Sequence, residues 1–304
     1  CLVFALFVGD ISEWIDNSHV LAYADDTFIS VEADTLLELE EKLEQEGNKV
    51  LSYFEGNRFV TNPTKTGLLV IRPNNRGKEN SPITINLSGA KVEEVSETKL
   101  LGMCLTSDLK FHKHLEKLTS DINYSASLVW RVRRCLDQRV LKMMVNGLLM
   151  SKVRYCASIY GPEYIRLNET DPKCARFNSL QIVQNNVLRL LTGNKRSDHV
   201  RIDEMLQKTG LMSVNQIVAY VCLIECWKAK TFQLPILGSI LENTSHGNKT
   251  LRSVTNGVVK SATDESYAKI VAKLWNLSSE RFKKTNLLII AKAEMENLAR
   301  SLPI

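Results

Sequence analysis

Two adjacent carboxylates stand in an apolar stretch near the start of the chain, within Tyr23-Ala24-Asp25-Asp26. β-Branched and aromatic residues flank them over residues 20–31, which predicts two short strands joined by a turn. Carboxylates are hard oxygen ligands suited to Mg²⁺ or Mn²⁺. A centre with two such ions can activate a hydroxyl on one side and stabilise a leaving pyrophosphate on the other. An Asp-Asp pair alone is weak evidence, because most such pairs are surface turns.

The elements around the pair alternate between strand and helix. Residues 35–54 place apolar side chains at helical spacing, and the acids of their first half predict a solvated outer face. Strand-like stretches occupy 67–71, 83–87 and 99–105, with a polar surface loop over 73–82. The apolar run 1–8 predicts the middle of a buried element, and it is too short to span a bilayer.

The pattern changes near residue 111 from mixed strand and helix to helix alone, which predicts a boundary there. The predicted fold is α+β up to this point, an antiparallel sheet with packed helices, and all-α after it. The predicted helices cover 112–135, 138–160, 179–191, 214–229, 267–275 and 286–302.

Composition adds weak constraints. The chain has 304 residues, a formal charge of +5 and a pI of about 8.7, which only weakly favours a nucleic-acid partner. The cysteines predict free thiols. Their number, seven, is odd and their spacing is irregular, which favours a reducing compartment. Cys222 and Cys226 lie one helical turn apart with no nearby partner at zinc-ligand spacing, so buried core cysteines are the favoured interpretation.

No segment has the length of a membrane span, which predicts a soluble or membrane-peripheral protein.

A basic stretch lies in the first two predicted helices beyond the boundary. Residues 130–154 contain seven cations and the single acid Asp137, and Trp130 lies beside the first of these cations. Such side chains could track the phosphate backbone of a nucleic acid without reading its sequence; a solvated basic face is the alternative. The candidate residues are Arg131, Arg133, Arg134, Arg139 and Lys142.

Several short motifs, in order, resemble the reverse transcriptases of non-LTR (LINE-type) retrotransposons. Tyr23-Ala24-Asp25-Asp26 is similar to their metal-binding box, and Asn62-Pro63-Thr64-Lys65-Thr66 to their Asn-x-x-Lys-Thr element. Residues 98–105, with Asp108-Leu109-Lys110-Phe111, resemble the primer-grip hairpin and the start of the thumb. Residues 155–162, 180–193 and 210–214 are similar to the helical region that follows. The resemblance extends to about residue 229.

The resemblance implies a palm remnant over 1–111, thumb-like helices over 112–160 and a C-terminal helical domain over 161–304. It implies an RNA-directed DNA polymerase that uses Mg²⁺ or Mn²⁺, an RNA template, a DNA primer and deoxynucleotide triphosphates, with no membrane partner. It also implies an intracellular setting, nucleus or cytoplasm. The alternative is a non-catalytic helical nucleic-acid-binding module derived from such an enzyme.

Site roles follow from the same resemblance. Asp25 would be the principal metal ligand, with Asp26 supporting it and Tyr23 near the primer end. Lys65 would reach the incoming triphosphate and protonate the leaving pyrophosphate; a solvated turn lysine is equally compatible. Leu101 and Gly102 would form the primer grip, although a plain hairpin glycine would look the same.

One catalytic carboxylate of the family has no counterpart in this sequence. In the family it lies on a strand further upstream of the metal box than this sequence reaches. Asp10, within a segment that resembles the residues just before the box, matches a different family position. We therefore expect a fragment that is inactive alone.

Overall fold

A computed structural model describes residues 2–62, 65–72, 81–171, 175–234 and 267–304. The chain divides into two compact units, Cys1–Lys110 and Phe111–Ile304. The second unit contains both helical regions that the sequence analysis separated at residue 160. Each unit is described by itself below.

The first unit is mixed α/β with small antiparallel sheets, which confirms the coarse α+β prediction. Its strands form three separate two-stranded ribbons, each made by neighbours in sequence. The elements in chain order are α1 (Leu2–Phe7), a 3₁₀ turn (Ile11–Trp14), β1 (His19–Tyr23), β2 (Asp26–Ser30), α2 (Leu36–Gly56), β3 (Thr84–Leu87), β4 (Ala90–Glu93), β5 (Glu97–Leu100) and β6 (Met103–Thr106).

The apolar run at the start of the chain is a short helix, α1, and most of its described side chains are exposed. Val3 is 78% exposed and Leu6 is 76% exposed. The prediction of a buried element is therefore wrong for these residues. Phe4 and Phe7 instead pack edge-to-face on Phe59, with ring centroids 5.7 and 5.5 Å apart, so the helix is attached to the unit along one side only.

Helix α2 is the central support of this unit. It begins after Thr35, whose hydroxyl accepts a hydrogen bond from the backbone N–H of Glu38. Leu36, Leu39 and Leu43 pack on the buried cluster of Leu68, Val70, Ile83, Ile85 and Val92. Further along the helix, Val50 and Tyr53 pack with Ile11 and the β1–β2 hairpin. One helix thus connects two separate small cores.

The acids of α2 do not all lie on a solvated face. Glu46 is completely buried, and Glu44 accepts a hydrogen bond from the backbone N–H of Asn86 at 2.6 Å. The prediction of a solvated acidic face is therefore wrong for Glu46. The helical spacing of Leu39, Leu43, Glu46, Val50 and Tyr53 places this acid in the middle of the buried face.

Two of the strand predictions also need correction. Residues 67–71 form only an isolated bridge, Leu68 to Glu94, rather than a strand. The strand-like pattern over 99–105 is a hairpin rather than one strand, as the resemblance of this segment to a hairpin implied: β5 and β6 are joined by a turn at Leu101 (φ 45°) and Gly102 (φ 89°). Positive φ at both central residues is the geometry of a two-residue hairpin turn. Most of the predicted loop, residues 73–80, lies outside the described residues.

The second unit is helical throughout its described part. Its main helices are α3 (His112–Val132), α4 (Gln138–Met144), α5 (Ser151–Arg154), α6 (Ala157–Tyr160), α7 (Ala175–Thr192), α8 (Ile202–Thr209), α9 (Val214–Phe232), α10 (Tyr267–Leu277), α11 (Glu280–Lys284) and α12 (Leu288–Ser301). Helices α8 and α11 were not predicted from the sequence. The others match predicted helices within a few residues, apart from the region after Gln138.

The helix predicted over 138–160 is continuous through residue 154 and is interrupted at Tyr155 and Cys156. A π-helical segment, Val145–Met150, follows α4, and its side chains Val145, Leu149 and Met150 are buried. The chain then leaves the helix at Tyr155 and turns at Cys156, whose φ is 53°. A left-handed non-glycine residue ends a helix without any sequence signal comparable to glycine or proline.

Helix α9 lies in the core of this unit, and its beginning is held by hydrogen bonds. Ser213 and Gln216 form a capping box at its start. Gln184 of α7 donates to the Met212 carbonyl oxygen at 2.7 Å, and Gln181 accepts from the Val214 N–H at 2.9 Å. The segments 180–193 and 210–214, both singled out in the sequence, therefore lie in direct contact.

The polar side chains at the start of α9 also fix residues 302–304. Asn215 donates to the carbonyl oxygens of Arg166 and Pro303, both at 2.9 Å, and Gln216 donates to that of Leu302 at 3.1 Å. The buried Arg166 guanidinium donates to the Ile304 carbonyl oxygen at 3.2 Å. These bonds satisfy backbone groups that would otherwise be buried unpaired.

Cys222 and Cys226 are both completely buried in α9 as free thiols, which confirms their interpretation as core cysteines. Within the described ranges, no single helix has the length and hydropathy of a membrane span. Helices α8 and α9 meet that criterion only when counted together, and they are bent by 52° at their junction.

Candidate functional site

The acidic pair lies at the tip of the β1–β2 hairpin, as the sequence predicted. Tyr23 pairs with Asp26 at the last rung of the ladder, and Ala24 and Asp25 form the two-residue turn. Ala24 has a φ of 51°, the positive value that a tight hairpin turn requires at its first central residue. Asp25 and Asp26 are both exposed, and Tyr23 is 65% exposed. The tip therefore presents two carboxylates and one aromatic ring.

One face of the β1–β2 hairpin packs on helix α2. Val20 and Ile29, which face each other across the ladder, pack against the cluster of Val50 and Tyr53. This contact leaves Leu21 on the opposite face, where it is 56% exposed. A two-stranded hairpin is marginal by itself, so the position of the tip depends on α2.

Polar contacts fix the chain just before β1. The buried Glu46 carboxylate accepts hydrogen bonds from the Asp16 backbone N–H at 3.2 Å and from the Ser18 hydroxyl at 3.3 Å. The Lys49 ammonium lies 2.9 Å from Glu46 and 2.8 Å from the Asp16 carboxylate. These two hydrogen-bonded carboxylates raise the pKa of Lys49. Glu46 and Lys49 thus position the strand that carries the acidic pair.

Asp10 has a structural contact of its own. Its carboxylate accepts a hydrogen bond of 2.5 Å from the hydroxyl of Tyr53, which also donates to the Phe7 carbonyl oxygen at 3.3 Å. Burial, followed by the hydrogen bond to Asp10, raises the pKa of Tyr53 to about 12. Asp10 therefore ties the segment after α1 to α2.

The remaining candidates of this unit lie on other elements. Leu101 and Gly102 form the turn of the β5–β6 ribbon, which is separate from the hairpin of the acidic pair. Lys65 is exposed, and its backbone N–H donates to the Asn62 carbonyl oxygen at 3.1 Å. Within the described ranges, no three His, Cys, Asp or Glu side chains gather where they could hold a metal ion.

In the helical unit, the basic candidates are exposed around the end of α3 and the start of α4. Arg131, Arg134, Arg139 and Lys142 are exposed, and Arg133 is half-buried. The nearby acid, Asp137, caps α4 by accepting a hydrogen bond from the Val140 N–H at 2.8 Å. Among the ion pairs between described residues, none includes these five cations.

Two arrangements were not predicted from the sequence. One is the Glu46–Lys49 support of the hairpin, which the helical spacing of Glu46 with its apolar neighbours could have indicated. The other is the stacking of Arg133 on Trp130, with the guanidinium carbon 3.3 Å from the ring centroid. Trp130 and Arg133 are three residues apart in a helical stretch, a spacing that places two side chains next to each other and could have indicated the stacking.

Comparison of the chain with protein-family models, with curated proteins and with solved structures gave no match in any of the three. The resemblance to reverse transcriptases therefore rests on the motifs quoted above.

Proposed function

We propose that the chain is part of an RNA-directed DNA polymerase of the non-LTR retrotransposon type, with Asp25 and Asp26 as part of its metal centre. The observation that carries the proposal is the acidic pair at the hairpin tip, because this is where the resemblance to the metal-binding box requires the two acids to be. The order of the other motifs along the chain supports it. Thumb-like helices after residue 111 belong to the same proposal.

The chemistry of the tip fits a divalent cation. Two adjacent exposed carboxylates offer the hard oxygen ligands that Mg²⁺ and Mn²⁺ prefer. The bound ions would stabilise the negative charge of the transferred phosphate group. In this proposal, Glu46 and Lys49 hold the strand, Asp25 and Asp26 bind the metal, and Tyr23 contacts the primer end. The pair supplies only part of the ligand set.

The test restores the rest of such a centre. The chain is joined to the upstream fingers and palm of a non-LTR reverse transcriptase and supplied with an RNA template, a DNA primer, nucleotides and Mg²⁺. We expect primer extension by the joined protein and none by its Asp25→Asn variant. Asp34→Asn, an exposed acid outside the hairpin, serves as the control and keeps activity. Extension by Asp25→Asn at the unaltered rate would refute the proposal.

A second function is favoured by the exposed arginines of the helical unit. We infer that the surface formed by Arg131, Arg133, Arg134, Arg139 and Lys142, here called the basic surface, binds nucleic-acid backbone. Four of the five are exposed and Arg133 is half-buried, and none has an acidic partner among the described ion pairs, which leaves the charges available to phosphates. This function needs no metal.

Salt dependence tests the second function. Replacing Arg131 and Arg139 by Gln should lower the slope of log affinity against log salt by about 2 for an RNA–DNA hybrid, since each phosphate contact contributes about one. The exposed Lys292 of α12, replaced by Gln, should leave the slope unchanged. Binding that does not respond to salt would exclude the backbone contacts.

A further inference from the structure

An aromatic ring that is partly open to solvent lies beside the basic surface. Trp130, in the last turn of α3, is 50% exposed. Arg133 covers its ring, with the guanidinium carbon 3.3 Å from the centroid, and also donates a hydrogen bond of 2.7 Å to the Trp130 carbonyl oxygen. The two contacts hold the arginine on the ring, so the pair is already ordered before any ligand binds.

Exposed cations follow immediately along the chain. Arg131 lies between the two residues of the stacked pair in sequence, Arg134 follows the pair directly, and Arg139 lies in the first turn of α4. Asp137, between them, is engaged as the cap of α4, so its carboxylate faces the helix N–H groups. An exposed aromatic ring among arginines is the composition of surfaces that bind single-stranded nucleic acid, where bases stack on rings and cations contact phosphates.

We propose that Trp130, backed by Arg133, is a stacking platform for an unpaired base, and that Arg131, Arg134 and Arg139 contact the adjoining phosphates. The basic surface therefore binds single-stranded nucleic acid in preference to a duplex. In a duplex the base faces are covered by their neighbours, so a ring on the protein surface has no base to stack on. The proposal rests on the second function above and adds to it the strand type and the residue that selects it.

Arg133, which is stacked on the Trp130 ring, also favours binding of nucleic acid. Arg133 places a positive charge at the ring, and its planar group can itself stack on a base or pair with a phosphate. Because the side chain is held by the Trp130 carbonyl oxygen, little further ordering is needed on binding. The pair thus offers a preorganised surface to a base that approaches from solvent.

The experiment measures binding of the full chain by fluorescence anisotropy, with a labelled single-stranded oligouridine of about 20 nucleotides and an RNA–DNA hybrid of equal length. Trp130→Leu removes the ring and Trp130→Phe keeps a smaller one. Phe232→Leu is the matched control, because Phe232 is an exposed aromatic at the end of a different helix, α9. Circular dichroism confirms that each variant is folded.

We expect the wild-type chain to bind the single strand more tightly than the hybrid. Trp130→Leu should weaken single-strand binding about tenfold, within the range that one stacked base contributes, with an unchanged salt slope. Trp130→Phe should retain most of the affinity, and Phe232→Leu all of it. Quenching of tryptophan fluorescence on binding should be reduced in Trp130→Phe.

Three results would overturn the proposal, and they are distinguishable from one another. If Trp130→Leu binds the single strand as the wild type does, while Arg131→Gln weakens binding, the basic surface binds backbone and the stacking is refuted. Equal or tighter binding of the hybrid would refute the strand preference. If neither probe binds at low salt, the second function fails and the stacking proposal fails with it.

Discussion

The carboxylate of Glu46 accepts a hydrogen bond from the backbone N–H of Asp16, thirty residues earlier in the chain. This contact joins the middle of α2 to the segment that leads into the β1–β2 hairpin. Glu46 is fully buried, and Lys49 lies 2.9 Å from it. Burying a carboxylate is costly unless it is paired and hydrogen-bonded. The first unit therefore needs these contacts to accommodate the buried charge of Glu46.

Replacing Glu46 by Leu should destabilise the first unit by about 2 kcal/mol, because it leaves the Asp16 N–H and the Ser18 hydroxyl without their acceptor and removes one of the two carboxylates that contact Lys49. Chemical unfolding followed by far-ultraviolet circular dichroism measures the change. Glu41→Leu, at an exposed position of the same helix, should change the stability by less than about 0.5 kcal/mol. Equal effects of the two substitutions would show that the buried carboxylate contributes nothing specific.

The hairpin and α2 were predictable because each has a clear local pattern. β-Branched and aromatic residues on both sides of Asp25 and Asp26 indicated two strands, and helical spacing indicated α2. The burial of Glu46 was not predicted, because it is one of several acids in this stretch and was assigned to their solvated face. Its helical spacing with the apolar residues should have counted for more. The apolar pattern alone indicated one strand over 99–105, because it continues through the turn at Leu101 and Gly102. The resemblance of this segment to a hairpin implied the turn that the pattern did not show.

The break after α5 could not be predicted from residue types. Cys156 takes a left-handed conformation, with φ 53°, and tertiary packing selects it. The buried Tyr160, whose hydroxyl donates to the Val153 carbonyl oxygen at 2.5 Å, and the close approach of Gly161 to α9 require the chain to turn here. Packing of this kind outweighs local helix propensity.

Gly161→Ala should destabilise the helical unit by about 1–3 kcal/mol. An added Cβ would lie 2.4 Å from Val218 Cγ1 and 2.6 Å from the Ala157 carbonyl oxygen, and backbone cannot move as a side-chain end can. Gly147→Ala is the matched control: a Cβ there meets nothing within 4 Å, and the change should be neutral or stabilising by up to about 1 kcal/mol. Thermal unfolding measures the stability of both variants. An unchanged stability of Gly161→Ala would contradict the close packing of Gly161 against Val218.

The stability of the helical unit should fall as the pH falls below 6.5. His114 is buried against Tyr160, with ring centroids 5.2 Å apart. Burial first, and then the charge of Lys117, lowers the pKa of His114 from its ordinary value of 6.5. The unfolded chain therefore protonates His114 more readily than the folded chain does. The stability that the neutral His114 contributes is fully present above pH 6.5 and is lost as the pH falls below it.

Urea unfolding at about pH 7 and about pH 5 measures this loss. His114→Phe keeps a ring beside Tyr160 and should show a smaller decrease between the two pH values than the wild type. An unchanged decrease in His114→Phe would mean that another group titrates.

The hairpin tip should bind Mn²⁺ in the chain as it stands, with an affinity on the order of millimolar, because two exposed carboxylates supply few ligands. Paramagnetic broadening of backbone amide signals should centre on residues 23–27, and Asp25→Asn combined with Asp26→Asn should remove it. Glu40→Gln combined with Glu41→Gln provides the control, another adjacent acidic pair but on a helix, where neighbouring side chains diverge. Broadening that persists in the aspartate variant, or that centres on α2, would show that the tip does not hold the ion, and the metal-binding role proposed for Asp25 and Asp26 would then have to be given up.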